Sequence, residues 1–145
     1  MQFMLLVKAD KNTEAGIMPS EKLLADMGKY NEEMVEAGVL LAAGGLHPSA
    51  KGARVRFSGE KRTVIEGPFP DPKKLIAGFW LIQVKSKNEA IEWVKRCPNP
   101  TEGRAEIEIR QVFEADDFGV EFTPELREQE KRMQAQLAAQ NKRGP

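Results

Sequence analysis

The apolar positions of the chain recur with two different periods, and the order in which those periods alternate predicts the architecture. Gln2 to Ala9 is short, apolar on consecutive positions, and ends at the charged cluster Lys8, Asp10 and Lys11, the pattern of a strand covered on both faces. After a turn-rich stretch, Pro19-Ser20 opens a segment in which Leu23, Met27, Tyr30 and Met34 fall on one helical face, with Leu24 and Val35 beside them. Gly38 stands where helices commonly end in a left-handed residue. Val39 to Ala43 reads as a second strand running into Gly44-Gly45. Ala53, Val55 and Phe57 then alternate with Arg54, Arg56 and Ser58, and Arg62 to Glu66 returns after a Ser58-Gly59-Glu60-Lys61 turn, which predicts a hairpin over 53–66. Pro68, Pro70 and Pro72 remove three ladder donors and keep the next stretch out of any sheet. Gly78 to Lys85 is a strong strand. Ser86 and Glu89 have capping-box spacing before a helix whose face is Ala90, Ile91, Val94 and Cys97, with Trp93 alongside and Pro98 as its stop. Glu106 to Phe113 is the last strand, with Ile107, Ile109 and Phe113 opposite Glu106, Glu108 and Arg110.

The order β-α-β, hairpin, β-α-β implies an α+β chain: a ferredoxin-like split βαβ with an inserted hairpin. Two helices cover one face of such a sheet, so the other face meets water, a ligand or a second copy. A first strand that is apolar on both faces says the second face is at least partly covered, and a homodimer is the expected way to cover it. Residues 119–145 read as a C-terminal helical extension on a domain of residues 1–118. Thr123 caps it, Pro124 takes the first helical position, and Glu128 pairs with Arg132, so a helix is expected over 123–140 with fraying beyond Gln140. Its thin stripe of Phe122, Leu126, Met133 and Leu137 is expected to lie on the body or on a partner subunit.

Composition narrows the function classes. A chain of 145 residues is one domain's worth of core, burying roughly 68–70% of its unfolded surface. The 22 basic residues balance 22 acidic ones, which argues against nucleic acid or an anionic membrane as partner. No apolar run approaches the ~20 residues of a membrane span, and Met1 to Lys8 lacks the features of a signal peptide. A single cysteine, Cys97, fits a reducing compartment, so the expected location is cytoplasmic. One His and one Cys make no metal-ligand pattern, and no P-loop or dinucleotide fingerprint is present, so neither metal nor cofactor is expected.

Candidate chemistry centres on Gly44-Gly45-Leu46-His47-Pro48, where the glycines let backbone approach a ligand and His47 titrates near neutral pH. The plainer reading of this stretch is a turn with a polar tip. Glu66, beside Gly67-Pro68, either orients His47 or caps the turn. Arg54 with Arg56 on one strand face suits a carboxylate or phosphate, and equally a solvated hairpin. Arg110 shares a face with Glu108 and would line a polar cavity beneath a dimer. The candidate set is therefore His47 and Glu66 for acid–base work, with Gly45, Arg54 and Arg110 for holding a small anionic metabolite. Cys97, on the apolar side of its helix, reads as a buried structural thiol.

Glu66-Gly67-Pro68-Phe69, Lys74 to Ile82, and Glu89-Ala90-Ile91-Glu92-Trp93-Val94-Lys95-Arg96-Cys97-Pro98 resemble the YCII-related, DGPF-domain family. Tyr30-Asn31-Glu32-Glu33-Met34, Ala37 to Leu41, Gly45-Leu46-His47-Pro48-Ser49 and Glu106 to Arg110 extend the resemblance in order over roughly residues 1–118. It implies a ferredoxin-like subunit of a dimeric α+β barrel with a cleft between the sheets. Relatives in the wider superfamily include small-molecule enzymes that need no cofactor, and DGPF domains are also associated with extracytoplasmic-function sigma factors. Two departures stand out. The Asp of the name motif is Glu66 here. The His–Asp pair of the YCII branch falls on Pro19-Ser20-Glu21-Lys22-Leu23-Leu24, which has no His, and on Arg96-Cys97-Pro98, which has no Asp. Two readings stay open: a cofactor-independent lyase, isomerase or hydrolase, and a non-catalytic regulatory or protein-interaction module. A barrel retained only for assembly is a plainer third.

Overall fold

Alternation along the first strand sets the layers. The computed structural model of the chain describes residues 1–101 and 103–143; residue 102 and residues 144–145, the end of the expected extension, lie outside the described residues. In β1 (Gln2–Lys8), Phe3, Leu5 and Val7 are buried while Met4 and Leu6 are half-buried. The buried row joins Trp80 and Ile82 of β5 (Ile76–Gln83) against Tyr30 and Met34 of α2 (Glu21–Glu36) and Ala90 and Trp93 of α3 (Lys87–Lys95). That is the core, and both helices lie on its side of the sheet.

The four-stranded sheet has the order β2-β5-β1-β6, with β2 over Leu40–Gly45, β6 over Ile107–Gln111, and every neighbouring pair antiparallel. Each crossover, β1-α2-β2 and β5-α3-β6, skips the strand between, which is the split βαβ arrangement expected from the pattern. The inserted hairpin, β3 (Ala53–Ser58) and β4 (Lys61–Glu66), forms a second, two-stranded sheet. On the sheet face away from the helices, Met4 pairs with Leu81 and Leu6 with Phe79, while Arg110 and Glu108 stand opposite Met4 and Leu6.

A polar brace locks the helices to this core. The Tyr30 hydroxyl donates to the Trp93 carbonyl at 2.6 Å, and Trp80 Nε1 donates to Asn31 Oδ1 at 2.8 Å. The Tyr30 ring meets Trp80 edge-on at 5.7 Å and Trp93 at 6.4 Å. Burial of the phenol raises its pKa.

Several boundaries differ from the sequence reading, each for a local reason. A one-turn helix, α1 (Lys11–Glu14), follows β1 because Asp10 Oδ1 accepts from Thr13 N and Thr13 Oγ1 accepts from Asp10 N, both at 2.8 Å. Strand β2 runs through the two glycines, because Gly44 pairs with Phe79 and Gly45 with Gly78. A Cβ on Gly44 would stand 3.2 Å from the Phe79 ring, so the glycine admits that ring. Phe113 lies beyond the end of β6. Helix α4 (Pro124–Arg143) continues past Gln140 to Arg143.

Contacts group the chain into two units, Met1–Val112 and a second that begins at Phe113. In the second, Phe113 stacks on Phe118 at 5.0 Å, Phe118 meets Phe122 at 5.5 Å, and Arg127 reaches Asp116 at 3.0 Å. Among the described residues, no helix is long and apolar enough to cross a membrane, and no three His, Cys, Asp or Glu side chains group as metal ligands.

Candidate functional site

The loop after β2 is held at both of its ends. Leu46 N donates to the Ala77 carbonyl at 2.8 Å. Three residues on, Ser49 N donates to Glu14 Oε1 at 3.0 Å and Ser49 Oγ donates to Glu14 Oε2. The same Ser49 oxygen accepts from Phe69 N at 3.0 Å, and Gly67 N donates to the Gly52 carbonyl at 2.9 Å. Gly67 is required by closeness: a Cβ there would fall 1.7 Å from the Ser49 carbonyl oxygen. The Glu66-Gly67-Pro68-Phe69 stretch is thus the clasp that ties the hairpin's base to the loop carrying His47 and to α1.

Beside this clasp, α2 stands off from the β2–β5 edge and leaves a cleft of about 390 Å³. Its walls include Leu23, Met27 and Trp80, and Gly45, Gly78 and Phe79 line it from the sheet. Lys8 is the one charged residue lining it among the described residues, with its Nζ held by Glu108 at 3.6 Å; Thr13, Asn31 and Thr101 supply neutral polar groups. Mostly apolar walls with a few polar anchors are the usual make-up of a small-molecule site. The volume matches about 13 waters, at roughly 30 Å³ each, or one compact organic molecule.

Two further hollows adjoin it, and Thr101 lines all three. The first, about 540 Å³, brings Pro19 and Ser20 across from Pro98 and Asn99, so the two segments where the YCII branch keeps its His–Asp pair do meet. Its carboxylates are already engaged: Asp10 caps α1, and Asp26 pairs with Lys22 at 3.3 Å. The second, about 1140 Å³, is charge-balanced, with Lys8, Lys11, Lys73 and Arg104 against Asp10, Asp71, Glu106 and Glu108.

Of the five residues singled out from the sequence, Gly45 lines the cleft and the other four do not. His47 is exposed, two residues beyond Gly45, and lines none of the three hollows. Glu66 is exposed at the end of β4, opposite Ala53. Arg54 lies with its guanidinium 3.9 Å above the Phe69 ring. Arg110 pairs with Glu108 at 3.3 Å on β6, the opposite sheet edge from β2, three strand spacings or about 14 Å from Gly45's strand. A single chain therefore does not gather these five.

Sequence reasoning passed over Lys8, Thr13, Asn31 and Thr101. A usable signal was present in Asn31, a polar residue four places after Met27 on the buried side of α2. Cys97 is half-buried; burial pushes its thiol up to about 11, and Sγ donates to the Pro98 carbonyl at 3.2 Å. At pH 8 its thiolate fraction is then about a hundredfold below that of an unperturbed thiol, so iodoacetamide should label folded protein about a hundredfold more slowly than unfolded protein. Mass spectrometry of timed aliquots checks this; equal rates would show an open thiol.

An α+β chain of ferredoxin-like topology with a ligand-sized cleft against its sheet is the class that this geometry defines. The model of the YCII-related domain matches residues 1–116, and the chain belongs to that family. It is 30% identical over 92 residues to Uncharacterized protein R00369 of Rhizobium meliloti (strain 1021), covering 63% of this chain and 74% of that protein. It is also similar to the structure of 5-chloro-2-hydroxyhydroquinone dehydrochlorinase (TftG) from Burkholderia phenoliruptrix AC1100 in complex with 2,5-dihydroxybenzoquinone. That likeness has a TM-score of 0.47 and 15% identity, covering 81% of this chain and 98% of that one.

Proposed function

We propose that this YCII-family chain is a small-molecule-binding protein that assembles as a homodimer and takes a compact, largely apolar anion into the cleft beside Lys8. The single observation that carries the reading is the cleft's lining: one cation in an otherwise uncharged, mainly apolar wall. An apolar body fills such a wall, and a carboxylate would draw Lys8 Nζ from its present partner, Glu108, which holds it at 3.6 Å on the sheet face away from the helices. Dimerisation is supported by the half-buried row of Met4, Leu6, Phe79 and Leu81 on the sheet face opposite the core helices. The reading assigns binding and no reaction. Among the described residues the cleft is lined by no carboxylate, imidazole or thiol to move a proton.

Thermal unfolding with benzoate and benzyl alcohol as probes tests this. At a hundredfold excess over Kd a ligand stabilises by about 2.7 kcal/mol, a Tm rise of about 5–10 °C in a chain this long. Benzoate should raise Tm more than benzyl alcohol. Lys8→Met should erase the difference, and Leu23→Trp, which fills the cleft, should abolish both shifts. Equal shifts in wild type and Leu23→Trp would place binding elsewhere.

A further inference from the structure

The β3–β4 hairpin has both faces in solvent. Its register puts Ala53, Val55 and Phe57 opposite Glu66, Val64 and Arg62 on one face. There Val55, Val64 and Phe57 are 49%, 61% and 70% exposed, and the Arg62 guanidinium lies 4.4 Å from the Phe57 ring centre. The opposite face carries Arg54, Arg56, Lys61 and Thr63, with Ile65 half-buried. A lone two-stranded hairpin is marginal in water, and a patch of adjacent exposed apolar side chains marks an interaction surface.

The apolar face is graded along both strands. On β3 side-chain size rises from Ala53 through Val55 to Phe57; on β4 charge runs from Arg62 through Val64 to Glu66. Neither Arg62 nor Glu66 has an ion pair among the described residues of its own chain. Arg62 is held in place by donating to the carbonyls of Gly59 at 2.7 Å and Lys61 at 2.9 Å, which orient the guanidinium without neutralising it.

We propose that this face docks on the same face of a second copy of the chain. A two-fold axis lying in the face and running across the strands stacks β3 on β3 and β4 on β4 in opposite directions. Phe57 then falls on the partner's Ala53, large on small. Arg62 falls on the partner's Glu66, cation on anion, and the valines meet at the centre. Each pairing occurs twice, as an isologous contact requires. An axis along the strands instead sets Ala53 over the partner's Glu66 and leaves both carboxylates without a cation.

Six residues a side fall well short of the roughly 20–30 of a standard interface. The contact is therefore secondary: it joins assemblies already held elsewhere, where each added contact gains from the others. With the sheet-face homodimer proposed above, and the two two-fold axes crossing at right angles, it gives a tetramer; without that dimer, it gives a weak pair. The cleft plays no part in it.

Sedimentation equilibrium of the full chain at high micromolar concentration tests the contact, with circular dichroism confirming that each variant is folded. Arg62→Glu alone and Glu66→Arg alone each set like charges face to face twice, and each should weaken the heaviest species about tenfold or more. The double exchange, Arg62→Glu with Glu66→Arg, should restore it. The readout is a halving of whatever mass the wild type reaches, so it does not depend on the sheet-face dimer. No heavier species in the wild type, single variants that leave it unchanged, or a double exchange that fails to restore it would each overturn the proposal.

Discussion

Replacing Gly67 by alanine should cost the first unit about 3 kcal/mol or more, the upper end of what overpacking does. The new methyl would meet the Ser49 carbonyl oxygen at 1.7 Å and the Ser49 carbonyl carbon at 2.6 Å. Both are backbone atoms, so no rotamer change relieves the clash. Ser49 is also fixed from the other side by Glu14, and its hydroxyl serves Phe69 N. The loop must therefore retreat as a block, taking the His47 segment with it. Denaturant unfolding should show the loss, with Tm lower by about 6–12 °C. Gly45→Ala is the control, because a Cβ there meets nothing within 4 Å; its cost should stay within about 0.5 kcal/mol. Comparable losses at both positions would mean that the clasp does not hold the loop.

Tyr30→Ala should be the second severe change, at about 3–5 kcal/mol for a buried ring. Tyr30→Phe separates the hydroxyl from the ring. The Trp93 carbonyl keeps its bond from Arg96 N at 3.1 Å, so losing the Tyr30 hydroxyl should cost only about 1 kcal/mol. The phenol also sets an alkaline limit. Its folded pKa is raised above the unfolded value of 10.0, chiefly by burial. Above pH 10 the unfolded chain gives up the proton that the folded chain keeps, so stability is complete below that pH and falls as pH rises. Cys97, raised from 9.0 to about 11, adds an earlier decline from about pH 9. Tyr30→Phe should remove the Tyr30 share of the decline above pH 10 and leave the Cys97 decline, from pH 9 to about 11, in place. Stability curves against pH for the two chains decide it; identical alkaline limbs would show that Tyr30 is not desolvated.

The elements that the sequence predicts best are those whose side-chain period matches their burial. Leu23, Met27, Tyr30 and Met34 mark α2 because one helical face meets the sheet. Phe3, Leu5 and Val7 against Met4 and Leu6 mark a strand buried on the helix side and half-buried on the other. The hairpin is legible for the same reason, as Ala53, Val55 and Phe57 alternate with cations. By contrast, α1 has only four residues and exists through the reciprocal bonds of Asp10 and Thr13, which carry no periodic signal. Gly44-Gly45 reads as a turn, yet it pairs because Gly78 stands opposite Gly45 and Phe79 needs the space above Gly44.

The candidate site was less legible because it is assembled from remote segments. Lys8, Thr13, Leu23, Asn31, Gly45 and Thr101 are individually ordinary, and only the ferredoxin-like crossovers bring them to one cleft. His47 and Glu66 attracted notice as a titratable group and a motif carboxylate. Motif chemistry and motif packing look alike in one sequence. Here the packing role of the Glu66-Gly67-Pro68-Phe69 stretch is carried by Gly67 and the amide of Phe69. The family-bearing residues Tyr30, Asn31 and Trp93 likewise serve the brace between helices and sheet.

Native mass spectrometry of the freshly purified full chain tests the binding account most directly, since one spectrum reports assembly and retained ligand together. The expected result is an even-numbered assembly of 16.2 kDa chains carrying one small organic acid per chain, with the added mass absent from Leu23→Trp and diminished in Lys8→Met. A bare monomer, or an added mass that survives Leu23→Trp unchanged, would contradict it.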